Sequence, residues 1–301
     1  MKIPVNHYST KEHDRAINED NCTINRSCDF TQNDMCHIHN SAEVLFVESG
    51  KAIYHIDDKE YVLEKNDILV VSSMHAHARE VIELPFSRYG ITIKEAYYKS
   101  FIGYDDILLR IFETPTTENY AKYYKNIPDD QFASLINILE RLSQEKEEVF
   151  MASTMRKHMI SELAITLSRI VGIDKQTSSL SPINLHMNQI KEYVDTNYIM
   201  ELSLQSLSQK FYLHPTTISK EFYRCFRCNI NEYIHMVRIT AAVQFLETTN
   251  DTILCISELC GYNNLNTFLR QFKKIMKISP SQYRKNMKEY WIKCQEMNEI
   301  K

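Results

Sequence analysis

The sequence predicts an α+β multidomain protein: an antiparallel β barrel or sandwich first, a pair of amphipathic helices next, and an all-α domain with two helix-turn-helix units last. Three observations carry this. Between Glu43 and Ile93, short runs rich in Val, Ile, Tyr and Phe are broken by charged or small residues, as closely spaced strands require. From Asp105 the apolar residues recur every three or four positions, the period of helices with one buried face. Beyond Pro182 that period continues, and one pattern occurs twice. The expected division is a barrel over residues 1–100, a helical coupling and linker segment over 101–182, and the helical domain over 183–290.

Composition narrows the function classes. The chain has 301 residues, 44% of them hydrophobic and 25% charged, which suits a protein with a substantial core and no need of disulfide staples. Only 5 residues are glycine, far below the usual ~7%. Neither GxGxxG nor GxxxxGK[ST] occurs, so the two large nucleotide-binding enzyme classes are excluded, and no cofactor is expected. The opening MKIPVNHYSTKEHDRAINED has no apolar run, and no later stretch approaches a membrane span, so a cytoplasmic protein without membrane contact is expected. The 8 cysteines then read as reduced thiols, mostly small buried hydrophobes. Cys225 and Cys228 form a lone CxxC, and a redox or metal pair there is the sharper alternative. Charge is uneven. Residues 1–182 carry a net −8, whereas residues 183–290 carry 13 Lys+Arg against 9 Asp+Glu, so only the second half is suited to a polyanion.

The strand-like runs are EVLFVES, KAIYHID, KEYVLE, DILVVSS and FSRYGITI, with turns expected at Ser49-Gly50 and Asp57-Asp58. The first helix after them places Phe132, Leu135, Ile136, Leu139 and Leu142 on one stripe, and the second carries Met155, Met159, Leu163, Ile165, Leu167 and Ile170 before Gly172. These stripes either cover the barrel or form a dimer seam. A Ser/Thr-rich stretch, KQTSSLSP, follows as a linker ending at Pro182.

The repeated pattern pairs LSLQSLSQKFYLHPTTISKEFYRCF with ILCISELCGYNNLNTFLRQFKKIM: a short apolar-spaced helix, a turn, and a second helix ending in an aromatic flanked by basic residues. In the first copy the turn falls near Tyr212-Leu213-His214 and Pro215 opens the second helix, a position proline favours. In the second, Gly261 supplies the turn before Tyr262-Asn263-Asn264. Between the copies, Asn229 and Glu232 have the spacing of a capping box, and Ile230, Tyr233, Ile234, Val237, Ala241 and Phe245 form a stripe on a helix that holds the two units at fixed separation.

Arg238 to Leu246 (RITAAVQFL) and Ile253 to Lys285, closing in F-x-R-x-F-K-K…S-P-S-x-Y-R, resemble the DNA-binding domain of the AraC/XylS transcriptional regulators over roughly a hundred residues. Tyr212, Arg227 and Lys277 stand where that family has glycine near turn ends, and Ser257 where it has a small alanine. The resemblance implies two helices reading adjacent major-groove segments of promoter DNA, about 34 Å apart. On the first, Thr216, Ser219 and Lys220 form the exposed face, with Thr217 and Arg224 as further DNA contacts and Ile218 and Phe222 turned inward. On the second, Asn266 suits adenine, Arg270 guanine, and Leu265 and Leu269 thymine methyls, with Phe268 and Phe272 behind. Thr267, Lys273 and Lys274 suit phosphate.

In the front half, His37, His39, Glu43 and Gly50, then Asp67 to Val71 leading to His77, resemble the two motifs of the cupin barrel; the second is degraded, with Asn66, Ser72 and Met74 at positions usually Gly, Pro and Gly. In metal-binding cupins these three histidines and the glutamate converge, a donor set suited to Fe, Mn, Ni or Zn. In regulators, the resemblance implies contacts to a small-molecule effector from His37, His39, Glu43 and His77, without catalysis or a resident metal. Tyr54, Tyr61, Phe46 and Tyr89 are either pocket walls or core, and His55 and His75 surface or structural residues. The chain is thus expected to be a homodimeric, sequence-specific transcription regulator, not an enzyme, whose promoter binding is controlled by an effector such as a sugar. If it is an activator, RNA polymerase is a further partner. Two other classes stay open: a metal-dependent cupin enzyme fused to a DNA-binding module, and an interaction module without small-molecule control.

Overall fold

The structure is a computed structural model. It describes residues 21–29, 36–56, 59–102, 108, 111–112, 121–146, 148–172, 182–226 and 228–299. The expected Asp57-Asp58 turn, most of the KQTSSLSP linker and Arg227 lie outside these residues. The chain divides into two compact units, Met1–Cys36 with Asn40–Ser178 and Ser179–Lys301, the short segment His37–His39 being grouped with the second.

In the first unit six strands form one antiparallel sheet: β1 (Cys22–Asp29), β2 (Ser41–Ile56), β3 (Lys59–Leu63), β4 (Ile68–Val71), β5 (His77–Lys94) and β6 (Ala121–Tyr124). The order is β1-β5-β2-β4-β6, with β3 also on β2. Helices α1 (Glu95–Ile102), α2 (Asp129–Gln144) and α3 (Ala152–Val171) follow or flank the strands. EVLFVES and KAIYHID, expected as two strands, are one. β5 runs opposite them throughout, from Ser41↔Lys94 to Ile56↔His77, and the Ser49-Gly50 turn becomes a series of register shifts between Val47 and Ala52. Gly50 makes this possible, at φ +79° with its backbone against Glu83 O and Pro85 O.

Alternation along β2 sends successive residues to opposite cores. Val44 and Phe46, with Ile68, Val70, Tyr89 and Ile91, pack with Phe132, Leu135, Leu139 and Leu142 of α2 and Met159, Leu163 and Leu167 of α3. Burying each such side chain is worth about 1.5–3 kcal/mol, so most of both apolar stripes covers the sheet, while Met155 is exposed and Ile165 half-buried. Leu45, Val47, Tyr54 and Ile56 join Tyr61, Leu63, Leu69, Val71, Val81 and Phe86 in the other core. Phe46 and Tyr89 therefore do not share a wall with Tyr54 and Tyr61: the register shifts between Val47 and Ala52 reset the alternation and put Phe46 and Tyr54 on opposite faces. Asp67 ties β6 down: its carboxylate accepts the Glu64 and Asn126 N–H groups at 3.0 and 2.9 Å and the Tyr123 hydroxyl at 2.7 Å. Burial, then this bond to Asp67, pushes the Tyr123 hydroxyl well above the ordinary tyrosine range.

The second unit is helical: α4 (Pro182–Asn197), α5 (Leu204–Phe211), α6 (Pro215–Phe226), α7 (Ile230–Thr248), α8 (Ile253–Leu259), α9 (Leu265–Met276) and α10 (Pro280–Glu299). Asn229 and Glu232 form the expected capping box of α7, and Ser203 with Ser206 forms another on α5. α7 buries more than the expected stripe. Ala242, Val243 and Leu246 are buried, while Ala241 and Phe245 are only half-buried, because helices pack on more than one side of α7. Tyr212 and Lys277, standing at the glycine positions of the resemblance, adopt φ 52° and 63°, a conformation costing about 1–2 kcal/mol for a side chain.

A Cβ on Gly50 would lie 2.7 Å from two backbone oxygens. Gly50→Ala is expected to lower the first thermal transition by several degrees, measured by calorimetry.

Candidate DNA interface and ligand site

The two helix-turn-helix units are α5–α6 and α8–α9, and each second helix is anchored by aromatic or branched side chains one helical turn apart. Ile218 and Phe222 under α6, and Phe268 and Phe272 under α9, are fully buried. A helix so anchored turns its opposite face outward. On α6 that face presents Thr216, Ser219, Lys220 and Arg224, all exposed, with Thr217 half-buried. On α9 it presents Asn266, Arg270, Lys273 and Lys274, with Leu265, Thr267 and Leu269 half-buried at its margins. Arg224 is engaged within its own helix: its Nε donates to Glu221 at 2.6 Å, and that bond raises its pKa. Lys274 Nζ lies 3.6 Å from Glu232.

Sequence reasoning missed the groups that set the starts of these helices. His214 Nδ1 lies 2.8 Å from Thr216 Oγ1, and the Asn264 side chain accepts the Thr267 N–H at 3.1 Å. The available signal was Asn or His one residue ahead of the helical pattern. Tyr212, in the first turn, is 94% exposed. Behind α9, His235 stacks on Tyr262 at 6° and 5.6 Å between centroids, its Nδ1 3.1 Å from the Tyr262 hydroxyl. Burial, then the positive charges of Arg238, Lys274 and Arg270, hold its pKa below the usual histidine value.

In the first unit, Glu43 on β2 and His77 at the start of β5 are buried, with Glu43 Oε2 3.0 Å from His77 Nε2. His77 Nδ1 is 2.9 Å from the His75 carbonyl, which can only accept, so Nδ1 carries the hydrogen and Nε2 the lone pair in the neutral ring. The His37 and His39 rings are 5.7 Å apart. One donor atom from each of His37, His39, Glu43 and His77 lies within 4.8 Å of all the others. Ligands around a first-row ion bonded at about 2.0–2.2 Å sit no more than about 4.4 Å apart, so these residues fit a metal ion after a small contraction. The same donors also suit hydroxyl or amide groups of a polar ligand. His55 lies at the surface, with Glu60 at 3.3 Å and Glu80 at 3.6 Å. Within the CxxC, Cys228 offers no ready thiolate, since burial pushes its pKa up to about 12.

Comparison with known proteins bears on both halves. Residues 207–286 match the family described as a helix-turn-helix domain, and residues 30–103 match the AraC-like ligand binding domain. The chain belongs to the AraC-type transcriptional regulators. This AraC-type regulator is 22% identical to the HTH-type transcriptional activator RhaS of Pectobacterium carotovorum, over 82% of this chain and 86% of that protein. It is 31% identical to the bifunctional transcriptional activator/DNA repair enzyme AdaA of Bacillus subtilis, over 38% of this chain and 54% of that one. Among solved structures, ToxT of Vibrio cholerae has the same fold, with TM-score 0.57 at 15% identity over 87% of this chain and 97% of that chain. The regulator thus combines a DNA-binding domain with a ligand-binding domain of cupin-like type. Among the described residues no helix is long and apolar enough to cross a membrane.

The lowered His235 pKa gives the second unit a signed pH response. A histidine whose folded pKa lies below its unfolded value contributes stability that is present above the unfolded pKa of about 6.5 and is lost as pH falls through the folded pKa. Thermal melting between pH 7.5 and 5 is expected to show this loss, and His235→Gln to reduce it.

Proposed function

We propose that α6 and α9 enter consecutive major grooves of promoter DNA, with Thr216, Thr217, Ser219, Lys220 and Arg224 serving the first segment and Leu265, Asn266, Thr267, Leu269, Arg270 and Lys273 the second. The supporting observation is the pairing, on both helices, of a fully buried anchor with an exposed polar and basic face. Arg270 is the base reader of α9, its planar fork matching guanine O6 and N7. The protein works in the cytoplasm as a homodimer, engages RNA polymerase where it activates, and performs no catalysis.

His37, His39, Glu43 and His77 contact a small polar effector, with a sugar the fitting class. The effector acts by linkage: it shifts the protein toward the DNA-competent arrangement by no more than its difference in affinity for the two arrangements. A second reading is favoured by one observation, the convergence of four donors within 4.8 Å. On that reading a divalent first-row ion occupies the site, held by the three imidazoles and Glu43, and the His75 carbonyl fixes the orientation of His77.

Two measurements test these readings. Arg270→Ala is expected to weaken operator binding by about 1–3 kcal/mol and to relax preference at one base pair; a uniform loss on all sequences makes Arg270 a phosphate contact instead. Titrating the full chain with a metabolite panel and with Zn2+, Ni2+, Mn2+ and Fe2+ by calorimetry is expected to give one binder whose affinity falls at least tenfold in His77→Ala. Binding that leaves operator affinity unchanged refutes the linkage.

A further inference from the structure

The helices that flank the two reading units, α4 and α10, are each fastened to α7. The Tyr233 hydroxyl of α7 donates to Asp195 of α4 at 2.5 Å, and at the other end the Tyr283 hydroxyl of α10 donates to Glu247. A third set of contacts joins the units to each other. Arg238, near the middle of α7 and 9% exposed, donates from Nε to the Tyr198 carbonyl and from Nη2 to the Met200 carbonyl, both at 2.8 Å. These carbonyls lie in the segment between α4 and α5, the entry to the first reading unit. The same guanidinium lies 5.3 Å from the ring centre of Tyr262, in the turn of the second. Beside it the two segments touch: a Cβ on Gly261, at φ +80°, would lie 2.7 Å from Ile199 O and 2.8 Å from Tyr198 O.

We propose that Arg238 is a positioning residue that sets the distance between the two reading helices, and with it the spacing of the two base segments the protein accepts. The reasoning is geometric. Two divergent N–H groups bind two carbonyls at the entry to one unit while the Cζ of the group lies over an aromatic ring of the other, 5.3 Å from its centre. Only a guanidinium offers both at once; an ammonium has neither the fork nor the flat face. α7 alone fixes where each unit sits on its own end. Arg238 and the Gly261 contact remove the remaining freedom of one unit to rock against the other. One base pair of respacing moves a segment about 3.4 Å along the DNA axis, more than a unit held in this way can follow.

This proposal rests on the DNA-reading function, and the experiment separates the two. A duplex is chosen by selection from a random library with the full-length wild-type chain. Versions are then made with the two protected segments one base pair closer, one base pair further apart, and with one segment scrambled. Wild type is expected to lose about tenfold in affinity for each respaced duplex. Arg238→Lys is expected to bind all three spacings within about threefold of one another, with wild-type affinity for the single-segment duplex and the helical circular-dichroism spectrum of the wild type. Gly261→Ala, which pushes the turn away from Ile199, is expected to shift the preferred spacing instead of widening it. A folded Arg238→Lys that keeps the wild-type ratio between spacings overturns the proposal. So does an equal loss on every duplex, which makes Arg238 a support for one helix only. Failure of the wild-type chain to select any duplex counts against the DNA-reading function itself.

Discussion

The second unit depends on α7 being buried on nearly every side. A helix of that kind has no solvent face on which to slide, so the elements packed on it take their positions from its side chains. Ile230, Tyr233, Ile234 and Val237 are buried in its first half and Ile239, Ala242, Val243 and Leu246 in its second, and polar groups complete what packing begins. Tyrosine hydroxyls reach carboxylates at both ends, and at the centre a guanidinium satisfies backbone carbonyls that the end of a helix leaves without internal partners. The outward faces of α6 and α9 follow from this. Their anchors fill the space beside the spine, and the remaining polar residues have nowhere to point but solvent.

Much of this was legible in the sequence, and what was not has identifiable causes. The helix-turn-helix units were readable because helical period, proline at a helix start and a capping pair all pointed the same way. The two anchors under each reading helix were found for the same reason. The strands were harder. β1, CTINRSCD, has few apolar residues, and β6 is only four residues long, so neither carries enough local pattern to stand out from loop. The break at Ser49-Gly50 misled because small residues serve bulges as well as turns, and only the strand opposite decides which. The aromatic residues were misgrouped because composition says nothing of parity. Tyr54 and Phe46 are separated by a bulge that resets the alternation, and the register with β5 is what assigns their faces.

The histidine cluster shows the limit of motif reading from the other side. His37, His39, Glu43 and His77 were all named from the resemblance to the cupin motifs, and their donor atoms do come together. The motifs did not reveal that His77 Nδ1 faces the His75 carbonyl, or that Glu43 Oε2 stands 3.0 Å from His77 Nε2. Those details govern the chemistry. An imidazole held in this way accepts from a ligand hydroxyl or binds an ion, and does not readily donate from Nε2 while neutral.

The length of β2 has a mechanical consequence. Glu43 and Val44 are adjacent in one strand, yet one belongs to the histidine cluster while the other, 1% exposed, belongs to the layer shared with α2 and α3. No spacer lies between them to absorb a displacement. A strand paired on both edges here, with β4 and with β5, resists stretching and tilts as a stiff lever. Whatever shifts Glu43 is thus felt on the reverse side of the sheet within a single peptide unit, which makes the helical layer the natural receiver of any signal that begins among the histidines.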